Sequence, residues 1–77
     1  MNSSNERLFI GIDLGGTKIA SALVDADMRI IDRIKIATRP EEGPSAVIGR
    51  MLDTVRDLAA RKGCDVSDVR AIGIGCP

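Results

Sequence analysis

From residue 8 to residue 38, apolar and polar side chains alternate with a period of two; from residue 45 the period lengthens to that of a helix. Leu8 to Leu14 reads as a first strand, β1, with Leu8, Ile10, Ile12 and Leu14 on one face and Phe9, Gly11 and Asp13 on the other. Lys18 to Asp25 reads as β2, whose small residues Ala20, Ser21 and Ala22 suit a strand covered on both faces. Asp25-Ala26-Asp27 is a turn signal. Met28 to Thr38 reads as β3: Ile30, Ile34 and Ile36 alternate with Arg29, Arg33 and Lys35, as in a strand with one wet face. Asp32 interrupts its apolar face and Ile31 its wet one. Three strands joined by tight turns make an antiparallel meander.

Arg39-Pro40-Glu41-Glu42-Gly43-Pro44 reads as a loop, because two prolines and a glycine fit neither a ladder nor a helix interior. From Ser45 to Lys62, the residues Val47, Ile48, Met51, Leu52, Val55, Leu58 and Ala59 line one stripe of a helix, α1. Pro44 suits its first turn and Ser45 is a candidate cap. Arg61 and Lys62 lie where the helix dipole favours cations, and Gly63 suits the position just past the end. Asp57 and Arg61 are spaced for an i, i+4 ion pair. A short polar loop, Asp65 to Asp68, leads to β4, Val69 to Cys76. For the order β-β-β-α-β, a right-handed crossover returns β4 parallel to β1 and predicts the sheet order 3-2-1-4, with β4 a bare edge. Asp13-Leu14-Gly15 and Gly75-Cys76-Pro77 then reach the same edge, where ligands of such sheets collect.

The turn between β1 and β2 carries the candidate chemistry. Gly11-Ile12-Asp13-Leu14-Gly15-Gly16-Thr17-Lys18 places one carboxylate before two glycines, a hydroxyl and a cation. Backbone N–H groups of adjacent glycines can approach phosphate oxygens closely, since no Cβ intervenes. Asp13 can hold Mg²⁺ through its water shell. Two other phosphate loops are excluded. A Walker A loop needs Gly-Lys-[Ser/Thr] opening a helix, whereas Gly16 precedes Thr17-Lys18 and a strand. A Rossmann fingerprint needs spaced glycines and a following helix, and Gly15 and Gly16 are adjacent. A plainer reading stays open for each residue: Asp13 as a turn starter, Gly15-Gly16 as a primed hairpin turn, Thr17 as a β former, Lys18 as a solvated lysine. Likewise, Gly73 and Gly75 could serve only close sheet–helix packing.

The stretch Asp13-Leu14-Gly15-Gly16-Thr17 resembles the first phosphate motif of the actin/hexokinase/heat-shock ATPase superfamily. The longer stretch Gly11 to Lys18 is similar at every position to the opening strand of the ROK family (repressors, open reading frames and sugar kinases). Ala71-Ile72-Gly73-Ile74-Gly75-Cys76-Pro77 resembles the strand entering that family's second glycine loop. The resemblance spans residues 8 to 77. It implies an α/β fold, the N-terminal part of a ribonuclease-H-like (actin-like ATPase) domain with a mixed sheet. It also implies an ATP-dependent, glucokinase-like sugar kinase that moves the γ-phosphoryl group of ATP to a hexose hydroxyl. ATP phosphates would lie against Gly11, Asp13, Leu14, Gly15, Gly16, Thr17 and Lys18, with Mg²⁺ by Asp13; Gly75 and Pro77 would border the sugar or the γ-phosphate. The family's Asp base and the Cys/His cluster of its zinc-binding members are expected beyond residue 77, so no catalytic residue or metal ligand is assigned to them here.

The chain has 77 residues, 44% of them apolar, and eleven basic residues balance eleven acidic ones. That is one small domain with little buried area per residue. The scattered charge excludes a nucleic-acid stripe or a membrane patch, and no apolar run approaches the roughly 20 residues of a bilayer span. Residues 1 to 7 are expected to be a disordered leader without a signal core, and residues 8 to 77 a partial kinase domain that is inactive alone. Cys64 and Cys76 read as reduced thiols of a cytoplasmic protein. The bare edge leads us to expect a homo-oligomer. Two alternatives are a ROK repressor, which would need a DNA-binding module before β1, and another actin-like ATPase.

Overall fold

The computed structural model describes residues 7–75. Four strands form one sheet in the order β3-β2-β1-β4, crossed by one α-helix; the expected loops before and after it each hold a short 3-10 turn, Pro40–Glu42 and Val66–Asp68. β1 (Leu8–Leu14) and β2 (Lys18–Asp25) have the limits that the alternation predicts. They pair antiparallel, Leu14 opposite Ile19, while β4 (Val69–Gly75) runs parallel to β1. Cys76, Pro77 and the leader residues 1 to 6 lie outside the described residues.

β3 (Ile30–Ala37) is shorter than expected. Its start is displaced by the turn before it, where the Asp25 carboxylate accepts the N–H groups of Asp27 and Arg29 and Met28 adopts a left-handed φ of 65°. The irregular Ile31-Asp32 pair also finds its reason. Leu23 faces Asp32 but Val24 faces Ile30, so Ile31 is the extra residue of a bulge. Asp32, in regular alternation with Ile34 and Ile36, lies on the helix side of the sheet, where Arg61 of the helix reaches it at 3.4 Å.

The helix α1 (Pro44–Lys62) starts at Pro44, with Gly43 before it at φ 98°. Ser45 does not cap it, because the cap position falls two residues earlier, at Gly43. Its end follows expectation: Gly63 is left-handed, and the N–H groups of Gly63 and Cys64 close back on the carbonyls of Ala60 and Ala59. The Asp57–Arg61 pair does not form; Arg61 turns to Asp32 across the sheet instead.

Leu8, Ile10, Ile12, Ile19 and Leu23 pack against Met51, Val55 and Leu58 to form the core. The stripe predicted for α1 is rotated: Thr54 is buried, whereas Ile48 and Leu52 are exposed. Thr54 is admitted to the core because its hydroxyl donates to the Met51 carbonyl (2.6 Å) and so accepts the Ser21 hydroxyl (2.8 Å). β2 is covered on one face only: Ile19, Ser21 and Leu23 are buried beneath α1, while Ala20, Ala22 and Val24 are half-buried on the other side. The small residues therefore make an open face rather than a second packed one.

Candidate phosphate-binding turn

Three buried isoleucine and leucine side chains anchor β1 in the core, and the alternation puts Asp13 on the opposite, open face. Asp13 is exposed and, among the described residues, makes no ion pair or side-chain hydrogen bond. Its neighbours across the ladder are Ala20 and Gly75, so nothing bulky shields the carboxylate. Gly73 faces Gly11 one step earlier. The ends of β1 and β4 thus do meet. A Cβ placed on Gly11, Gly73 or Gly75 would touch nothing within 4 Å, so α1 does not pack closely against these glycines.

The turn itself is asymmetric. Gly15 donates its N–H to the Lys18 carbonyl at 2.9 Å. A Cβ on Gly15 would approach that same carbonyl to 3.0 Å, so the hairpin demands glycine there. At Gly16 a Cβ would meet nothing, and the space beside it is open. Neither glycine has a positive φ, so the primed-turn reading is corrected: close approach, and not left-handed backbone, explains Gly15. Thr17 and Lys18 are exposed, Leu14 half-buried against the core.

Two residues outside the motif hold the turn from behind. Thr38 is 3% exposed; its N–H donates to the Thr17 carbonyl (2.9 Å) and its hydroxyl to the Gly15 carbonyl (2.8 Å). Arg50 of α1 in turn donates to the Thr38 carbonyl (2.9 Å) and pairs with Glu42. Sequence reasoning missed both. Thr38 reads as the last residue of an ordinary strand and Arg50 as one more polar residue of a helix; only their long-range pairing marks them.

The donor set fits Mg²⁺ in one way. Among the described residues no group of three or more His, Cys, Asp or Glu side chains could hold a metal. A lone, unpaired carboxylate suits an ion that keeps several waters and takes its other ligands from phosphates, as Mg²⁺ does.

A mixed 3-2-1-4 sheet with a carboxylate and a glycine turn at the carboxyl end of an inner strand is the N-terminal part of an actin-like ATPase domain. The sequence profile of the ROK family matches residues 9–77, and the chain belongs to that family. A ROK family glucokinase from Streptomyces griseus, crystallised with glucose and AMPPNP, is 39% identical and superposes with a TM-score of 0.70 over 90% of this chain and 20% of its own. The glucokinase of Thermotoga maritima is 34% identical over 68 residues, 88% of this chain and 20% of the relative. An N-acetylmannosamine kinase from Shigella boydii is 39% identical over 51 residues, 66% of this chain and 18% of the relative. The chain therefore spans about a fifth of the length of these proteins.

Proposed function

We propose that this chain is the N-terminal, phosphate-binding segment of an ATP-dependent, glucokinase-like sugar kinase. The intact protein would transfer the γ-phosphoryl group of ATP to a hexose hydroxyl. The observation that carries this reading is the turn after β1: an unpaired Asp13 followed by Gly16, where an added Cβ would meet nothing and whose N–H takes no part in the turn's hydrogen bonds. The 39% identity to a glucokinase crystallised with glucose and an ATP analogue supports it.

Phosphoryl transfer depends mainly on positioning and on neutralising charge over the transferring oxygens. In this reading the N–H groups of Gly16 and Lys18 bind phosphate oxygens, with the Thr17 hydroxyl and the Lys18 side chain beside them. Gly11 and Leu14 set the strand that aims Asp13. Asp13 orients the water shell of Mg²⁺, which supplies charge neutralisation when bound. Gly75, next to Asp13 in the ladder, borders the sugar or the γ-phosphate; Pro77 would continue that loop. The base that deprotonates the hydroxyl lies elsewhere in the intact enzyme, so residues 1–77 alone are inactive. A cytoplasmic homo-oligomer acting on small molecules, not on nucleic acid or membrane, completes the proposal. Among the described residues no helix is long and apolar enough to cross a membrane.

The test is a coupled assay of ADP release from ATP on the intact protein, with glucose and N-acetylmannosamine as acceptors. Turnover with glucose is expected, and Asp13→Ala should lower kcat roughly 10²–10³-fold, as loss of one charge-stabilising group does. Absence of turnover with every hexose tried would sink the proposal.

A further inference from the structure

We infer that Thr38, braced by Arg50, is a positioning residue for the nucleotide phosphates, fixing which side of the Gly15–Lys18 turn faces the ligand. The inference rests on the sugar-kinase reading and adds to it a residue far from the motif in sequence.

A peptide unit is planar and trans, so the C=O of one residue points opposite to the N–H of the next. No peptide bond among the described residues is cis. Thr38 takes the Gly15 carbonyl with its hydroxyl and the Thr17 carbonyl with its N–H. Gly16 N–H and Lys18 N–H are thereby turned to the side away from Thr38. Two carbonyl oxygens that would repel a phosphate are withdrawn by the same contacts.

The hydroxyl has a second effect. In a two-residue hairpin turn, the N–H of Lys18 would close back on the Gly15 carbonyl. Here Gly15 and Lys18 keep only the reverse bond, Gly15 N–H to Lys18 C=O. The Gly15 carbonyl accepts the Thr38 hydroxyl instead. Among the described residues, the turn's hydrogen bonds use none of the N–H groups of Gly16, Thr17 and Lys18.

Any residue at position 38 could donate its N–H, but only serine or threonine supplies the hydroxyl. A merely structural strand end, 3% exposed, would be filled as well by valine. Arg50 fixes Thr38 in turn, through its carbonyl at 2.9 Å, with Glu42 holding the other arm of the guanidinium. The turn is thus tied through one buried residue to helix α1.

The experiment compares Thr38→Val, Thr38→Ser and Arg50→Met with the wild type in the intact protein. AMPPNP affinity is read by calorimetry, KM for ATP and for glucose by the ADP-release assay, and folding by the thermal midpoint. Thr38→Val should weaken AMPPNP binding and raise the KM for ATP about tenfold, the loss of one buried hydrogen bond's worth of alignment, and leave the KM for glucose within about twofold. Thr38→Ser, which restores the hydroxyl, should lie within about threefold of wild type. Should Thr38→Val fail to fold, Arg50→Met carries the test, with a rise of about threefold or more in the ATP KM alone. A folded Thr38→Val protein with wild-type AMPPNP affinity overturns the inference, as does equal impairment by valine and serine, or an unchanged ATP KM in Arg50→Met. A wild type that neither binds AMPPNP nor turns over ATP removes the sugar-kinase reading as well, so the two failures are told apart.

Discussion

Gly15 and Gly16 are adjacent and chemically identical, yet the structure assigns them different work. At Gly15 an added methyl would press to 3.0 Å against the Lys18 carbonyl, the acceptor that closes the hairpin. At Gly16 it would project into open space. Gly15→Ala should therefore destabilise the fold by about 1–2 kcal/mol, read as a drop in thermal midpoint. Gly16→Ala should leave stability unchanged, or raise it by about 0.5 kcal/mol through a less flexible unfolded chain. On the proposed reading it should nevertheless weaken AMPPNP binding in the intact protein, because the methyl would occupy the open space proposed for a phosphate oxygen. Equal effects of the two substitutions on stability would refute this division. The motif was legible from residue types alone, since two glycines after a strand carboxylate is a local pattern. The division between the glycines was not, because it depends on the distance to Lys18.

Between elements, the sheet and the helix meet through a core that contains one hydroxyl pair, Ser21 and Thr54, both about 1% exposed. Removing one partner leaves the other unsatisfied in an apolar layer, whereas removing both leaves a matched apolar contact. Thr54→Val should cost about 1–3 kcal/mol, and adding Ser21→Ala should recover much of that loss. Denaturant unfolding of both singles and the double closes the cycle. Strictly additive losses would show that the pair is not coupled. The positions of β1, β2 and α1 were readable from hydrophobic period and turn residues. The rotation of the helix stripe was not: a threonine scores as polar until its partner across 33 residues is known. Arg61 makes the same point, since local spacing assigns it to Asp57 while the sheet brings Asp32, on the helix-facing side of β3, within reach of it.

For the whole molecule, the helix covers β2 and β3 far more than β4. Ile72 and Ile74 face the helix side of the sheet yet are 44% and 55% exposed, and Ile48 and Leu52 are exposed on α1. β4 is also an edge, with one side of its backbone unpaired. Together they make an apolar margin that water solvates poorly. The 77-residue chain should accordingly self-associate with rising concentration. Size-exclusion chromatography should show an elution volume that shifts with loading, and the double substitution Ile72→Lys/Ile74→Lys should abolish the shift. A monomer at all loadings would contradict the expectation.

The amino-acid order alone settled four strands, one helix, their succession, and the carboxylate-glycine turn between the first two strands. These follow from contacts between near neighbours: side-chain period, the φ limits of proline and the missing Cβ of glycine. Folding in space settled the rest: how the turn's carbonyls are held by a distant threonine and arginine, how the helix stripe is rotated, and which hydroxyl pair sits in the core. These features depend on hydrogen bonds between residues 12 to 33 positions apart. No local pattern encodes such pairs, because their partners become neighbours only when the helix lies across the sheet.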